Sequence, residues 1–218
     1  MKISLVSEVS IDGKITFGKG KSSKGLFSLL TQEDMEFIHK IRGDVDGILV
    51  GMNTIRYDNP SLTCRYMQGE NPIRIIPSQS LEIPEDATIL TDNNATIIVT
   101  PKSNQAKAEW LQAYENVSVI FAGEETIDFQ AAFDVMESEY DIHTIMLEGG
   151  GFLNWQLIDK NLINEMIIIR LPIIIGGEDN VSLVDGAGYD ECHFVKKFSL
   201  RSVEIRENIM INKYVKVG

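Results

Sequence analysis

Thr144-Ile145-Met146-Leu147-Glu148-Gly149-Gly150-Gly151-Phe152-Leu153-Asn154-Trp155 reads as a strand that meets three glycines and enters a helix. The apolar run over residues 142–147 has the length of a buried strand, and residues 152–160 carry apolar positions at helical spacing. Glycine lacks a Cβ, so backbone at this junction can approach a ligand closely. The first helical turn offers N–H groups without intrahelical acceptors, which suits a phosphate. Glu148 is delivered by the strand beside that anion position. A carboxyl group there either pairs with a substrate donor or handles a proton. The plainer reading of the same residues is a tight turn with an incidental glutamate.

Outward from this junction, strands and helices alternate, which points to parallel βαβ units and an α/β fold. Residues 2–10 read as a strand, 15–17 as a short strand, and 18–28 as a loop rich in Gly, Ser and Lys. Thr31 and Asp34 resemble a capping box ahead of a helix whose apolar positions are Met35, Ile38 and Ile41. Residues 46–50, 73–76, 96–100 and 117–121 read as strands, with helices over 104–114 and 128–138. Residues 165–172 are strand-like. Residues 194–205 and 209–217 alternate and close the chain as an antiparallel pair, so the sheet is mixed. No linker-like composition shift divides the chain, and 1–218 reads as a single domain.

Lys and Arg number 20 against 32 Asp and Glu, a net charge of −12 that argues against nucleic acid or an anionic membrane as partner. A phosphorylated small molecule remains compatible, because a few local arginines suffice. The apolar runs 166–169 and 173–175 are far too short to span a bilayer, and no secretory leader opens the chain. Cytoplasm is the expected location. Cys64 and Cys192 form no Cys-x-x-Cys pair, the three histidines lack metal spacing, and the zinc-deaminase signature is absent. No metal site is expected.

A second strand–glycine–helix junction runs Val50-Gly51-Met52-Asn53-Thr54-Ile55-Arg56-Tyr57-Asp58-Asn59-Pro60. Thr54 and Asp58 share a helical face, and a hydroxyl beside a carboxylate suits a ribose or a nicotinamide amide. A capping threonine and a turn aspartate are the plainer reading. Arg42 and Arg65 are candidates to converge on a phosphate, arginine being the planar bidentate donor. Ser78 follows the strand 73–76 and is a candidate phosphate contact. The Gly-x-Gly-x-x-Gly dinucleotide fingerprint is missing.

Taken in order, four blocks resemble the riboflavin-biosynthesis reductase family. That family comprises the reductase half of the bacterial bifunctional deaminase–reductase and its stand-alone relatives. The blocks are Ser10-Ile11-Asp12-Gly13-Lys14; Val45-Asp46-Gly47-Ile48-Leu49-Val50-Gly51 with Thr54 and Asp58-Asn59-Pro60-Ser61-Leu62-Thr63; Asn71-Pro72-Ile73-Arg74-Ile75; and Leu147-Glu148-Gly149-Gly150-Gly151 through Leu153. The resemblance implies a dihydrofolate-reductase-like three-layer αβα fold with a mixed, mostly parallel sheet and an antiparallel C-terminal strand pair. It implies usually a homodimer, with NADPH as hydride donor. Its substrate is a ribosylaminopyrimidine 5′-phosphate whose ribose is reduced to a ribityl chain. By position it assigns Thr54, Asp58, Ser78, Gly150, Gly151, Phe152 and Leu153 to the cofactor. It assigns Arg42, Leu62, Arg65 and Glu148 to the substrate, Glu148 being the candidate catalytic residue. This chain lacks the tryptophan that relatives often carry in the first loop, and no basic residue closely follows Ser78. A reductase of the same fold acting on another substrate such as dihydrofolate, and a nucleotide-binding module without turnover, are the alternatives.

Overall fold

The computed structural model describes residues 1–66 and 70–217. In chain order its elements are β1 (Lys2–Val9), α1 (Lys24–Phe27), α2 (Gln32–Gly43), β2 (Gly47–Val50), α3 (Met52–Asp58), β3 (Ile73–Pro77), α4 (Thr88–Thr91) and β4 (Thr96–Thr100). Two 3-10 segments follow, Lys102–Asn104 and Ala106–Ala113. Then come β5 (Val117–Phe121), α5 (Phe129–Glu139), β6 (Thr144–Gly149), α6 (Gly151–Asp159), β7 (Glu165–Arg170), β8 (Phe198–Arg206) and β9 (Ile209–Lys216). The chain groups into two compact units, one of Met1 with residues 32–146, the other of residues 2–31 with Leu147 onward.

In the first unit the strands lie in the order β5-β4-β3-β2 and every pair is parallel. β2 and β4 are buried at every residue, as parallel strands covered on both faces must be. Ile48, Ile76 and Ile98 are fully buried in one cluster with Ile55 of α3, Ile89 and Leu90 of α4, and Leu111. Each such side chain contributes about 1.5–3 kcal/mol of burial free energy. α5 starts at the N-cap Asp128, whose carboxylate accepts from the Ala131 N–H, and it buries Phe129, Ala132, Phe133 and Met136 as its spacing predicts. The helix expected over 104–114 is instead a 3-10 segment. Only Ala108 and Leu111 are buried there, three residues apart, so one eclipsed edge faces the core and no wider apolar stripe demands an α-helix.

In the second unit the order is β1-β7-β9-β8, with β1 parallel to β7 and the other two pairs antiparallel. The closing antiparallel pair matches the sequence reading, although β8 begins at Phe198 rather than at residue 194. The short strand expected at 15–17 does not form. Lys14 makes a single bridge to Ser182, and Ile15 donates to the Val181 carbonyl. Its neighbour is loop rather than strand, so no ladder extends. The loop expected over 18–28 contains α1, anchored by the buried Leu26. The turn at Asp12 staples the coil after β7, its carboxylate accepting from the N–H groups of Ile175 at 3.1 Å and Gly176 at 2.7 Å. The Ser10 hydroxyl and those two N–H groups hold the Asp12 carboxyl down to about 2.

β8 carries a bulge. Leu200 pairs with Tyr214, the next pair is Ser202 with Lys213, and Arg201 is the extra residue. That extra residue puts Phe198, Leu200, Val203 and Ile205 on one face, although regular alternation would split Leu200 from Val203. Leu200, Val203 and Ile205 remain 54%, 48% and 72% exposed. Among the described residues, no helix is long and apolar enough to cross a membrane.

Candidate active site

α2 ends with His39 and Arg42 one turn apart, both buried. Each holds the segment that follows α3. The Arg42 guanidinium donates to the Thr63 carbonyl at 2.9 Å, and the Arg65 N–H donates to His39 Nδ1 at 3.2 Å. The Cys64 N–H donates to the Asn71 carboxamide oxygen at 2.9 Å, and Arg74 reaches the Ser61 carbonyl at 3.4 Å. Burial, together with the nearby charges of Arg42 and Arg65, pushes the His39 imidazole down to about 4. Both arginines lie close enough to His39 for their charges to bear on its imidazole. Their roles differ. Arg65 is exposed, whereas Arg42 is buried against the loop it supports.

Leu62, which the resemblance places at the substrate, is 4% exposed, belongs to the core cluster of the first unit, and has a left-handed backbone at φ 55°. Leucine rarely adopts that conformation, so surrounding bonds must hold it.

α3 carries Thr54 and Asp58 on one face, Thr54 half-buried and Asp58 buried. Asn59 caps the helix in a left-handed conformation, donating its N–H to the Ile55 carbonyl. Ser78 follows β3 and is 1% exposed. Its N–H donates to the Val99 carbonyl and its carbonyl accepts from the Thr100 hydroxyl at 2.9 Å. Its own hydroxyl is buried without a hydrogen-bond partner among the described residues. A phosphate contact there requires the segment to open locally.

In the second unit, β6 delivers Glu148 half-buried, one residue before the turn. The three glycines that follow answer three different demands. Gly149 has φ 74°, and a Cβ there would lie 2.7 Å from the Asn154 carboxamide. Gly150, the N-cap of α6, has φ 103°, and a Cβ there would meet nothing within 4 Å. Gly151 would drive a Cβ to 2.5 Å from the Ser182 carbonyl and 2.6 Å from the Asp185 carboxylate. So open space lies at Gly150, while Gly151 is small because protein packs on it. Asn154 is fully buried and donates to the Leu183 carbonyl at 2.7 Å, fixing the start of α6 against that loop. The N-cap Gly150 supplies no side-chain cap to α6, and among the described residues no capping side chain is seen there. Phe152 is 65% exposed and Leu153 only 5%.

The sequence profile of the RibD C-terminal domain family matches residues 1–210. The chain belongs to this family. It is 40% identical over 215 residues to the 2,5-diamino-6-ribosylamino-4(3H)-pyrimidinone 5′-phosphate reductase of Aquifex aeolicus, covering 96% of this chain and 94% of that protein. Its fold matches Acinetobacter baumannii RibD with a TM-score of 0.80 at 17% identity, over all of this chain but 58% of the longer one. It also matches the Saccharomyces cerevisiae riboflavin biosynthesis reductase Rib7 with a TM-score of 0.73 at 19% identity, covering 99% of this chain and 90% of that one. The α/β fold with a mixed, mostly parallel sheet is the one the resemblance implied.

Two buried polar residues escaped the sequence reading. His39 lacks metal spacing, but its position three residues before Arg42 places both on one helical face. In the sequence Arg74 stands out only as part of the block Asn71-Pro72-Ile73-Arg74-Ile75. It is fully buried and makes a bidentate pair with Asp92 at 2.6 and 2.9 Å.

Proposed function

We propose that this chain is the NADPH-dependent reductase of riboflavin biosynthesis that converts the ribose of a ribosylaminopyrimidine 5′-phosphate into a ribityl chain. The observation that carries the reading is 40% identity, along nearly the whole length of both chains, to a protein named for that reaction. The substrate in that name favours the base before deamination. The glycine junction supports a dinucleotide, because Gly150 leaves open space at the uncapped start of α6. NADPH, when bound, supplies the hydride.

The backbone at Gly150, Gly151, Phe152 and Leu153 is assigned to the pyrophosphate, Thr54 and Asp58 to the nicotinamide nucleotide, and Ser78 to the adenosine phosphate. Arg65 holds the substrate phosphate with Arg42 behind it, and the left-handed backbone of Leu62 shapes that segment. As the ribose ring opens, its oxygen takes up a proton, and Glu148 is the group assigned to deliver it or to hold the sugar hydroxyls in line. The chain acts as one reductase domain over 1–218, in the cytoplasm, as a homodimer. The exposed apolar stripe of β8 supports a protein–protein contact.

The test is steady-state NADPH oxidation with the 2,5-diamino ribosylaminopyrimidine phosphate, its deaminated counterpart and dihydrofolate. Turnover is expected with the first. Turnover of dihydrofolate alone, or cofactor binding without any turnover, overturns the reading.

A further inference from the structure

α2 and the segment after α3 are joined by a buried histidine that the proposed chemistry does not use. His39 is 1% exposed, yet its Nδ1 accepts the backbone N–H of Arg65 at 3.2 Å. For Nδ1 to accept, the ring proton must sit on Nε2, and the imidazole must be neutral. Burial and the two flanking arginines keep it so near neutral pH. A lysine or arginine at this position would offer the Arg65 N–H only another donor. One turn later Arg42 holds the Thr63 carbonyl at 2.9 Å, so a donor and an acceptor from one helical face grip the segment two residues apart. Between the core and that grip lies Leu62 in its left-handed conformation. A strained backbone persists where its surroundings over-determine it, and such places gather at ligand sites.

We propose that His39 is a positioning residue that acts through Arg65. By accepting the Arg65 N–H, it fixes the backbone from which that guanidinium leaves toward the substrate phosphate. A positioned arginine loses less freedom on binding than a mobile one, so the acceptor lowers the substrate KM. The proposal rests on the reading of Arg65 as a phosphate ligand.

A double-mutant cycle tests it, using His39→Phe, His39→Asn and Arg65→Ala in the full chain with the 2,5-diamino substrate and NADPH. Phe keeps the ring volume and removes the acceptor. Asn retains an acceptor at the Nδ1 position. Arg65→Ala is expected to raise the substrate KM on the order of ten- to a hundredfold, through loss of a charge-assisted bond. His39→Phe is expected to raise it roughly three- to tenfold, the range of one neutral hydrogen bond, with the NADPH KM unchanged. His39→Asn is expected to recover most of that loss. In the Arg65→Ala background, His39→Phe is expected to add nothing, because the group it positions is gone.

Additive effects of the two substitutions overturn the proposal, as does an equal KM rise in His39→Phe and His39→Asn. If His39→Phe does not fold, a His39→Asn chain with wild-type melting and the Phe-like KM rise expected from a lost acceptor overturns it as well. If Arg65→Ala leaves the substrate KM unchanged, the phosphate assignment of Arg65 fails first and takes this proposal with it. If Arg65→Ala raises KM and the His39 effect is independent, only the proposal falls.

Discussion

Replacing Arg74 with methionine removes the most heavily bonded buried charge described in the first unit. The guanidinium is fully buried and pairs both oxygens of Asp92 at 2.6 and 2.9 Å. It also donates to the Thr96 hydroxyl at 2.9 Å and to the carbonyls of Asn94, Ile89 and Ser61. Methionine fills similar volume without donors, so the loss is electrostatic rather than a cavity. Breaking a buried pair by removing one partner costs about 3–5 kcal/mol. The lower end applies, because Asp92 keeps 26% side-chain exposure and can rehydrate. The Ile89 and Asn94 carbonyls also still accept from Asn116 at 3.1 Å. A domain of this size shifts its melting point roughly 2–4 °C per kcal/mol, so a fall of about 6–12 °C is expected by calorimetry or circular dichroism.

The pH dependence carries its own sign. Burial pushes the Asp92 carboxyl up, but hydrogen bonds from Arg74 and Asn94 and the Arg74 charge outweigh it and hold the group below its usual value. A carboxyl lowered in the folded state contributes stability that is present above the unfolded pKa of about 4 and is lost as pH falls through the folded value. The gap in melting point between wild type and Arg74→Met should therefore shrink on acidification below about pH 4. A variant that melts within a degree or two of wild type at pH 7 would refute the reasoning, as would a gap that widens in acid.

Glu148→Gln keeps the shape and a hydrogen-bond donor but cannot act as an acid, so kcat should fall at least about tenfold with NADPH affinity intact; wild-type turnover with earlier melting would make Glu148 structural. Gly150→Ala should destabilise the chain by roughly 1–3 kcal/mol despite its open surroundings, because φ is 103°. Denaturant titration checks that. Gly151→Ala should destabilise it through overpacking against the Ser182 carbonyl, again about 1–3 kcal/mol, and equal stability of either variant with wild type would refute its part. With no basic residue soon after Ser78, the kcat/KM preference for NADPH over NADH should stay below about 10³-fold. A larger preference would mean that another basic residue reads the 2′-phosphate, one candidate being Lys102, whose ammonium pairs with Glu124 at 2.6 Å in this structure. If β8 forms the dimer contact, Ile205→Glu should shift the size-exclusion profile toward monomer, and an unchanged profile would place the contact elsewhere.

What could be read from the sequence was local. β6, the glycines and α6 were legible because an apolar run, a glycine cluster and a helical stripe leave their marks within a dozen residues. The Thr54–Asp58 helix and its stop at Asn59 were legible for the same reason. The 3-10 segment at Ala106–Ala113 was not, since its two buried residues fit a helix of either pitch. Roles set by distant partners left no trace. His39 meets the Arg65 N–H across 26 residues, and Arg74 meets Asp92 across 18. The three glycines look alike as letters, and only the neighbours of each missing Cβ show that Gly151 is filled by protein while Gly150 is open. Nor does the sequence show that Leu62 is buried in the core with a left-handed backbone, since both depend on what packs around it.

The bulge at Arg201 makes counting matter in β8. Upstream of it, the face a residue presents is offset by one from the count that starts at the hairpin turn of Glu207 and Asn208. A substitution at Arg201 leaves the order of faces intact. Deleting it would turn Phe198 and Leu200 over while Val203 and Ile205 stayed in place, dispersing the stripe without changing a single apolar residue. Length, more than composition, is therefore what drift in this strand must conserve. When relatives are compared across it, a gap placed one residue off equates side chains that point in opposite directions.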